Sequence, residues 1–379
     1  MPALPVFVER YDLSDSQAAL IFAAFPVVQL PVALLAGRLV DRVGRRLGII
    51  WAGVLLLAAT AAFALVSDPL LLPVARGAQG AAAGLAWTAG IAAISDVYPN
   101  DQLGFRIGLA ETAGGGAGLL GPLIGGLLIG AFGTGVTFAL ACALPAAFIV
   151  LALFVPETRT EVVKAPPMSS ALRRMLRQPA ARAGAAALVG TAAILALLEP
   201  LLPLNLVDRH DASPTVVGLV FSGGLLGYFV GAPLAGRWSD RHGRRQPIIV
   251  GGLGLAATLP LISIGPVIWV AVWFAAVGAF MAVLAAPSGP LLTKAVDDAG
   301  MDGMYGLSAA VLTVIFAAGF AIGPLAGAAA SAVAPFWLII CVSAVLIAML
   351  ALYAYRALDP RRIDEMGGDR VTALARSSP

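Results

Sequence analysis

Gly37-Arg38-Leu39-Val40-Asp41-Arg42-Val43-Gly44-Arg45-Arg46 returns later in the chain as Gly236-Arg237-Trp238-Ser239-Asp240-Arg241-His242-Gly243-Arg244-Arg245. Both copies read G-R-x-x-D-R-x-G-R-R, with four arginines, one aspartate and a turn glycine. Each sits between two long apolar runs, so each reads as a tight, charged hairpin between two membrane-spanning helices. A chance second match with this spacing is remote, and the chain is therefore read as an internal duplication.

The flanking sequence agrees with that reading. Of 379 residues, 60% are hydrophobic and 12% charged, and the mean hydropathy is +0.92. A water-soluble domain could not solvate such a surface. Apolar runs of about 20 residues match a ~30 Å hydrocarbon layer at ~1.5 Å rise per residue. The 43 glycines and 26 prolines suit helices that pack closely and bend in lipid. Eleven spans are expected, at about 14–36, 47–66, 70–94, 104–130, 133–155, 183–205, 213–236, 247–265, 266–291, 303–330 and 334–356. The faintest boundary is the one marked by Gly265-Pro266. An N-terminal bundle over 1–155 and a C-terminal bundle over 183–356 follow, joined by a polar linker, 156–182, and trailed by a polar tail, 357–379.

Orientation follows from the basic residues. Of the 24 lysines and arginines, 21 fall on one side; Arg10 and Arg209 fall on the other and Arg76 lies within a span. The positive-inside rule puts the 21 in the cytoplasm, so the chain starts outside and ends inside. The net charge of +3 gives no reason to expect a nucleic-acid partner, because the cations sit in short interhelical loops. Cys142 and Cys341 lie in apolar spans and imply no disulfide framework. Residues 1–13 lack the apolar core of a signal peptide. The segment Pro200 to Asp211 before the second motif matches Pro2 to Asp12 before the first. In the second half it closes a full span, 183–205. A further span upstream of Met1 is therefore expected; the plainer alternative is a natural eleven-helix protein.

Two halves with this loop motif resemble the major facilitator superfamily of secondary transporters. The fourth-helix pattern R-x-x-Q-G appears as Arg76-Gly77-Ala78-Gln79-Gly80. The fifth-helix antiporter pattern appears as Gly108, Ala117, Gly121-Pro122 and Gly125-Gly126, with alanine where the pattern has its central glycine. That helix and Leu198-Glu199-Pro200-Leu201-Leu202-Pro203 look like the drug/proton antiporter branch, including vesicular amine and bacterial multidrug transporters. The resemblance implies an all-α polytopic membrane protein with the major facilitator fold, two pseudo-symmetric six-helix bundles with helix 1 missing. It implies proton-coupled efflux of a small amphipathic or cationic solute by alternating access. It also implies a multi-pass monomer in the plasma (inner) membrane, powered by a proton gradient and needing no cofactor or metal.

The resemblance gives the loop motif (Gly37, Asp41, Arg42, Gly44, Arg45; Gly236, Asp240, Arg241, Gly243, Arg244) the role of a latch between halves. A topogenic charge cluster is the alternative, although topology alone does not require the aspartate. Gly121-Pro122 should bend the fifth helix, and Gly223, Gly227 and Gly231 line one face of the eighth, which the resemblance places against the fifth. Charges within a span cost roughly 2.5–3.5 kcal/mol each on insertion scales and usually serve function. Three qualify: Arg76, Glu199 and Glu111. Arg76 and Glu199 should stand at similar depth on opposite halves, with Glu199 taking up a proton while Arg76 or a cationic solute competes for its charge. A static pair is the alternative. Gln29, Gln79, Trp87, Tyr228 and Trp273 are candidate pocket residues, as are Thr191, Phe229, Phe280 and Met281.

An intramembrane enzyme would need a nucleophile, base or metal set within the bilayer, yet both histidines, His210 and His242, fall in loops. No nucleotide-binding G-x4-G-K-[ST] stretch is present. A proton-coupled uptake symporter and a non-transporting paralog that binds partners remain as alternatives.

Overall fold

A computed structural model describes residues 2–65, 68–158, 168–299 and 305–359. Described residues form thirteen α-helices: α1 Leu4–Tyr11, α2 Asp15–Val43, α3 Arg45–Leu65, α4 Leu72–Val97, α5 Asn100–Ala152, α6 Met168–Met175, α7 Pro179–His210, α8 Pro214–His242, α9 Arg245–Thr258, α10 Val267–Ala285, α11 Ser288–Asp297, α12 Tyr305–Ser331 and α13 Phe336–Ala357. Short 3-10 turns precede α4 and follow α9. Ten continuous helical stretches are long and apolar enough to cross a bilayer. One of them, Arg106–Ala152, has 47 residues; at ~1.5 Å per residue that is about twice the hydrocarbon thickness. Gly133 divides it, with φ 75° and ψ 175°, a conformation open to glycine. Counting its two arms gives eleven crossings, as the sequence leads one to expect. The faint boundary at 265 is also real: Gly265 has φ 80° and α10 begins two residues on.

The duplication is visible in the backbone at a constant offset of 199 residues. Asp12 (φ 50°) and Asp211 (φ 49°) both take the left-handed conformation that ends a helix. Ser14 and Ser213 then cap α2 and α8, accepting hydrogen bonds from the amides of Gln17 (3.3 Å) and Val216 (3.4 Å). Gly44 (φ 98°) and Gly243 (φ 81°) turn the two motif loops. The tightest helix contacts repeat as well, with α10 slipped by one residue from that offset relative to α4. A Cβ on Gly80 of α4 would strike the carbonyl of Phe25 on α2, and one on Gly278 of α10 would strike the carbonyl of Gly224 on α8. Pairing α4 on α2 and α10 on α8 at backbone distance is what small residues allow in lipid, where helices associate by close van der Waals packing.

Within each half the other helices follow: α3 against α4 and the second arm of α5, and α9 against α10 and α13. Leucines, valines and a methionine on the outside of α13 (Val342, Val345, Leu346, Met349) are exposed. Their spacing makes one apolar face, which suits a surface turned to acyl chains. Two features were not foreseen. The sequence reading treats 156–182 as a linker, yet α6 lies within it and buries Met175 completely in a cluster with Leu292, Ala295 and Val311. The expected span 266–291 is also broken, at Ala286-Pro287, between α10 and α11, where proline cannot continue the bonding of the preceding turn. Residues 159–167 of the expected linker and 360–379 of the expected tail lie outside the described residues.

The halves meet by exchange: α2 packs on α12 and α8 on α5. Between α5 and α8 the contacts run from Gly115, which faces the ring of Phe229, to Gly130, which faces the hydroxyl of Thr215. Ser222 donates to the carbonyl of Leu119 (3.0 Å) and Thr215 to that of Gly126 (3.2 Å). On the other side of the cleft, Ala18 and Phe22 cluster with Leu4 and Leu204, and Ala19 shares a cluster with Ala328. Apart from Gly115 and Phe229, which stand near the middle of the first arm of α5 and of α8, these residues belong to the outer parts of their helices. Toward the cytoplasm, Gly37, Gly108, Gly114 and Gly236 face open space. The described contacts between the halves therefore lie in the outer and middle parts of these helices.

Candidate functional site

At the closed end of the cleft stands Arg76, one turn into α4. Its Nη1 donates to Oε1 of Gln79 (2.8 Å), and Nε2 of Gln79 reaches Oγ1 of Thr60 on α3 (3.4 Å). Two rings of α2 cover the guanidinium, Phe22 at 5.0 Å and Phe25 at 4.7 Å to their centroids. Such stacking stabilises a cation, the more so out of water. Nε of Arg76 is buried without a hydrogen-bond partner among the described residues.

Across the cleft, α7 presents Glu199. Pro203 has no N–H to give to the carbonyl of Glu199, so the helical bonding is interrupted where the carboxylate stands. The charges of Arg76 and Glu199 act on each other. They make no direct ion pair among the described residues, whose pairs within 4 Å lie elsewhere. The arginine is held by its own half rather than by the carboxylate.

The other candidates divide. Gln79 belongs to the Arg76 cluster. Gln29, Trp87 and Tyr228 are half-buried on α2, α4 and α8. Trp273 packs against the C-terminal core with its indole against Trp269 (5.7 Å) and its Nε1 buried without a partner among the described residues. Thr191 is buried and gives its hydroxyl to the carbonyl of Ala187 (2.9 Å), and Met281 is a core residue; neither lines the cleft. Phe229 faces the α5 seam, and Phe280 packs across Gly254. The side chain of Glu111 lies outside the described residues. Thr60, Phe22 and Phe25 were missed; an aromatic pair three residues apart at the depth of Arg76 was the available signal.

One expectation about the seam needs correcting. Gly224, Gly227 and Gly231 pack on α10, and Gly223 has nothing within 4 Å. The α5-facing side of α8 is Thr215, Gly218 and Ser222. From the antiporter pattern, Pro122 and Gly126 touch α8, whereas Gly121, Gly125 and Gly108 have no such neighbour around their Cα. A face of small residues says that something comes close, and on α8 two faces are small.

At the inner rim the first motif is tied down within its own half. Arg45 pairs with Asp41 (3.0 Å) and with Asp96 at the end of α4 (2.7 Å). The amide of Arg45 donates to Glu157 (2.8 Å), and Arg46 to the carbonyl of Leu153 (2.6 Å). The second motif copies only the last of these: Arg245 donates to the carbonyl of Tyr355 (3.1 Å) and to Asp359 (3.1 Å). Asp240, Arg241 and Arg244 make no ion pair or hydrogen bond among the described residues. We expect Asp96→Ala to lower stability by about 1.5–3 kcal/mol, because it removes a charge-assisted bond to the buried Arg45 and leaves it Asp41 as its carboxylate partner. Unfolding in detergent should show this, with Asp240→Ala shifting little.

A cleft between two exchange-packed, pseudo-symmetric bundles, with opposite charges facing across it, defines a transporter-type membrane protein. A family description, Major Facilitator Superfamily, matches residues 1–208 and again 185–376. The chain belongs to that superfamily, whose members are transporters and not enzymes. It is 26% identical over 357 residues to the "Synaptic vesicular amine transporter" of Rattus norvegicus, covering 92% of this chain and 68% of that one. It is 30% identical over 243 residues to the "Probable vesicular acetylcholine transporter-B" of Danio rerio, covering 64% and 49%. The chain thus spans about two thirds of the first relative's length and about half of the second's. Its fold matches a bacterial homologue of the human lysosomal transporter Spinster in an inward-facing, unoccupied conformation, with TM-score 0.70, 17% identity and 94% and 91% coverage.

Proposed function

We propose that this chain carries a small cationic or amphipathic solute out of the cytoplasm across the plasma membrane in exchange for protons, by alternating access. The single observation that carries the reading is Glu199 facing Arg76 across the cleft without a direct ion pair. A carboxylate away from bulk water must have its charge offset. Arg76 is held by Gln79 and two phenylalanine rings and makes no direct ion pair with Glu199, which leaves the carboxylate able to take a proton or a bound cation. Those two compete for one site, and competition of that kind is what couples opposite fluxes. The relatives named for amines and acetylcholine support a cationic solute. Gly44 and Gly243, turned alike at equivalent loops, support two bundles that rock as units, with the loop motifs acting as latches when the inner side closes.

The test is transport in proteoliposomes with the protein inserted in known orientation. A radiolabelled monoamine or choline ester should accumulate on the acidic side when a proton gradient is imposed. Collapse of the gradient with an ionophore should stop it. Accumulation that ignores the gradient would overturn the proton coupling, and accumulation on the alkaline side would overturn the direction.

A further inference from the structure

The two motif copies differ in what neutralises them. In the first, Arg45 pairs with Asp41 and Asp96, whereas its counterpart Arg244 makes no ion pair among the described residues. In the second, Arg237 and Arg241 are exposed and pair with nothing among the described residues. They stand one turn apart at the cytoplasmic end of α8; Asp240 lies about 100° round the helix from Arg241 and about 60° from Arg237, with an ion pair to neither among the described residues. Directly on the membrane side of them, α8 and α10 leave an apolar groove of about 380 Å³ lined by Leu234, Trp238, Phe280 and Val283. Leu234, Trp238 and Arg241 follow one another at helical spacing, so the groove runs into the arginines without a break. Tryptophan at such a level marks the boundary between acyl chains and headgroups, and arginine reaches outward from it.

We propose that this groove and its two arginines form a binding site for an anionic phospholipid of the inner leaflet. One acyl chain lies against Leu234, Trp238, Phe280 and Val283, and the headgroup phosphate sits between Arg237 and Arg241. A soluble phosphate would use the cations but not the groove, and a zwitterionic lipid would use the groove but bring no net charge to the cations.

The experiment is native mass spectrometry of the full chain released from micelles doped with equal amounts of phosphatidylglycerol and phosphatidylcholine. Retained phosphatidylglycerol should exceed phosphatidylcholine by at least about fivefold, the worth of one arginine near an anionic surface. R237Q/R241Q should erase that preference, and R173Q/R174Q, with the same loss of charge on α6, should keep it. A second readout covers misfolding of the double variant: phosphatidylglycerol brominated on its acyl chains should quench a fluorescence component of the wild type that is absent from Trp238→Phe. Equal retention of the two lipids, an unchanged preference in R237Q/R241Q, or no Trp238-dependent quenching would overturn the site. So would displacement of the lipid by millimolar inorganic phosphate, or a dimer mass in place of the lipid-bound monomer.

Discussion

Glu199→Gln is expected to lower gradient-driven solute accumulation by roughly 100-fold, equivalent to about 2.7 kcal/mol at the rate-limiting step. The substitution keeps the shape of the side chain and removes only its ability to gain or lose a proton. In the wild type, the state without proton and without cation holds an ionised carboxylate away from bulk water with no direct ion pair, which penalises its return across the membrane. Glutamine removes that penalty, so the empty protein can change sides without a proton and the gradient no longer drives anything. Stability in detergent should hardly change, because Glu199 makes no direct ion pair whose loss would strand Arg76. A static brace would give the opposite outcome, with unfolding shifted and residual accumulation still dependent on the gradient. Arg76→Lys provides a second arm. Lysine keeps the charge but loses the flat guanidinium that stacks under Phe22 and Phe25 and donates to Gln79, so solute affinity should fall while proton dependence persists.

Much of this was legible in the residues, for identifiable reasons. The loop motif could be read because four arginines and an aspartate between apolar runs have few structural solutions, and its repetition carried the bundle count. Arg76 and Glu199 could be read because charge inside a span is rare enough to be informative alone. The rings that hold Arg76 could not, since Phe22 and Phe25 look like any lipid-facing or core phenylalanine until α2 and α4 are set side by side by Gly77, Gly80 and Gly84. Helix α6 hid inside a polar linker because its apolar positions, such as Leu172 and Met175, stand beside Arg173 and Arg174 in a stretch of eight residues. The seam on α8 was misread because its glycines repeat on two faces, and composition does not say which neighbour each face meets.

That misreading sets up the second large effect. Gly218→Leu is expected to raise labelling from the outside at least tenfold and to cut transport by a similar factor. A Cβ on Gly218 would strike the carbonyl oxygen of Pro122, with the Cα of Gly126 3.2 Å away; a Cβ on Gly126 would meet the carbonyl of Pro214 at 2.5 Å. Backbone stands on both sides, so no side chain can swing away, and α5 and α8 must part. Overpacking of this kind costs about 1–3 kcal/mol, and the cost falls on the outer-closed arrangement alone. A bias of that size moves a two-state equilibrium roughly 5- to 150-fold, toward the arrangement open to the outside. The reporter is Ala19→Cys, fully buried in the outer seam here, in a background with Cys142 and Cys341 replaced, probed by a membrane-impermeant maleimide. Gly223→Leu is the control. It lies five residues further along α8 with nothing within 4 Å, and it should leave both labelling and transport near the wild-type values. If the two variants behave alike, the seam does not run through Thr215, Gly218 and Ser222. If Gly218→Leu instead lowers labelling, the outer contact between α5 and α8 is not what seals the cleft. Gly218→Ala, with a single added methyl, should give the same direction at smaller size, and so separates a wedge from a collapse of the fold.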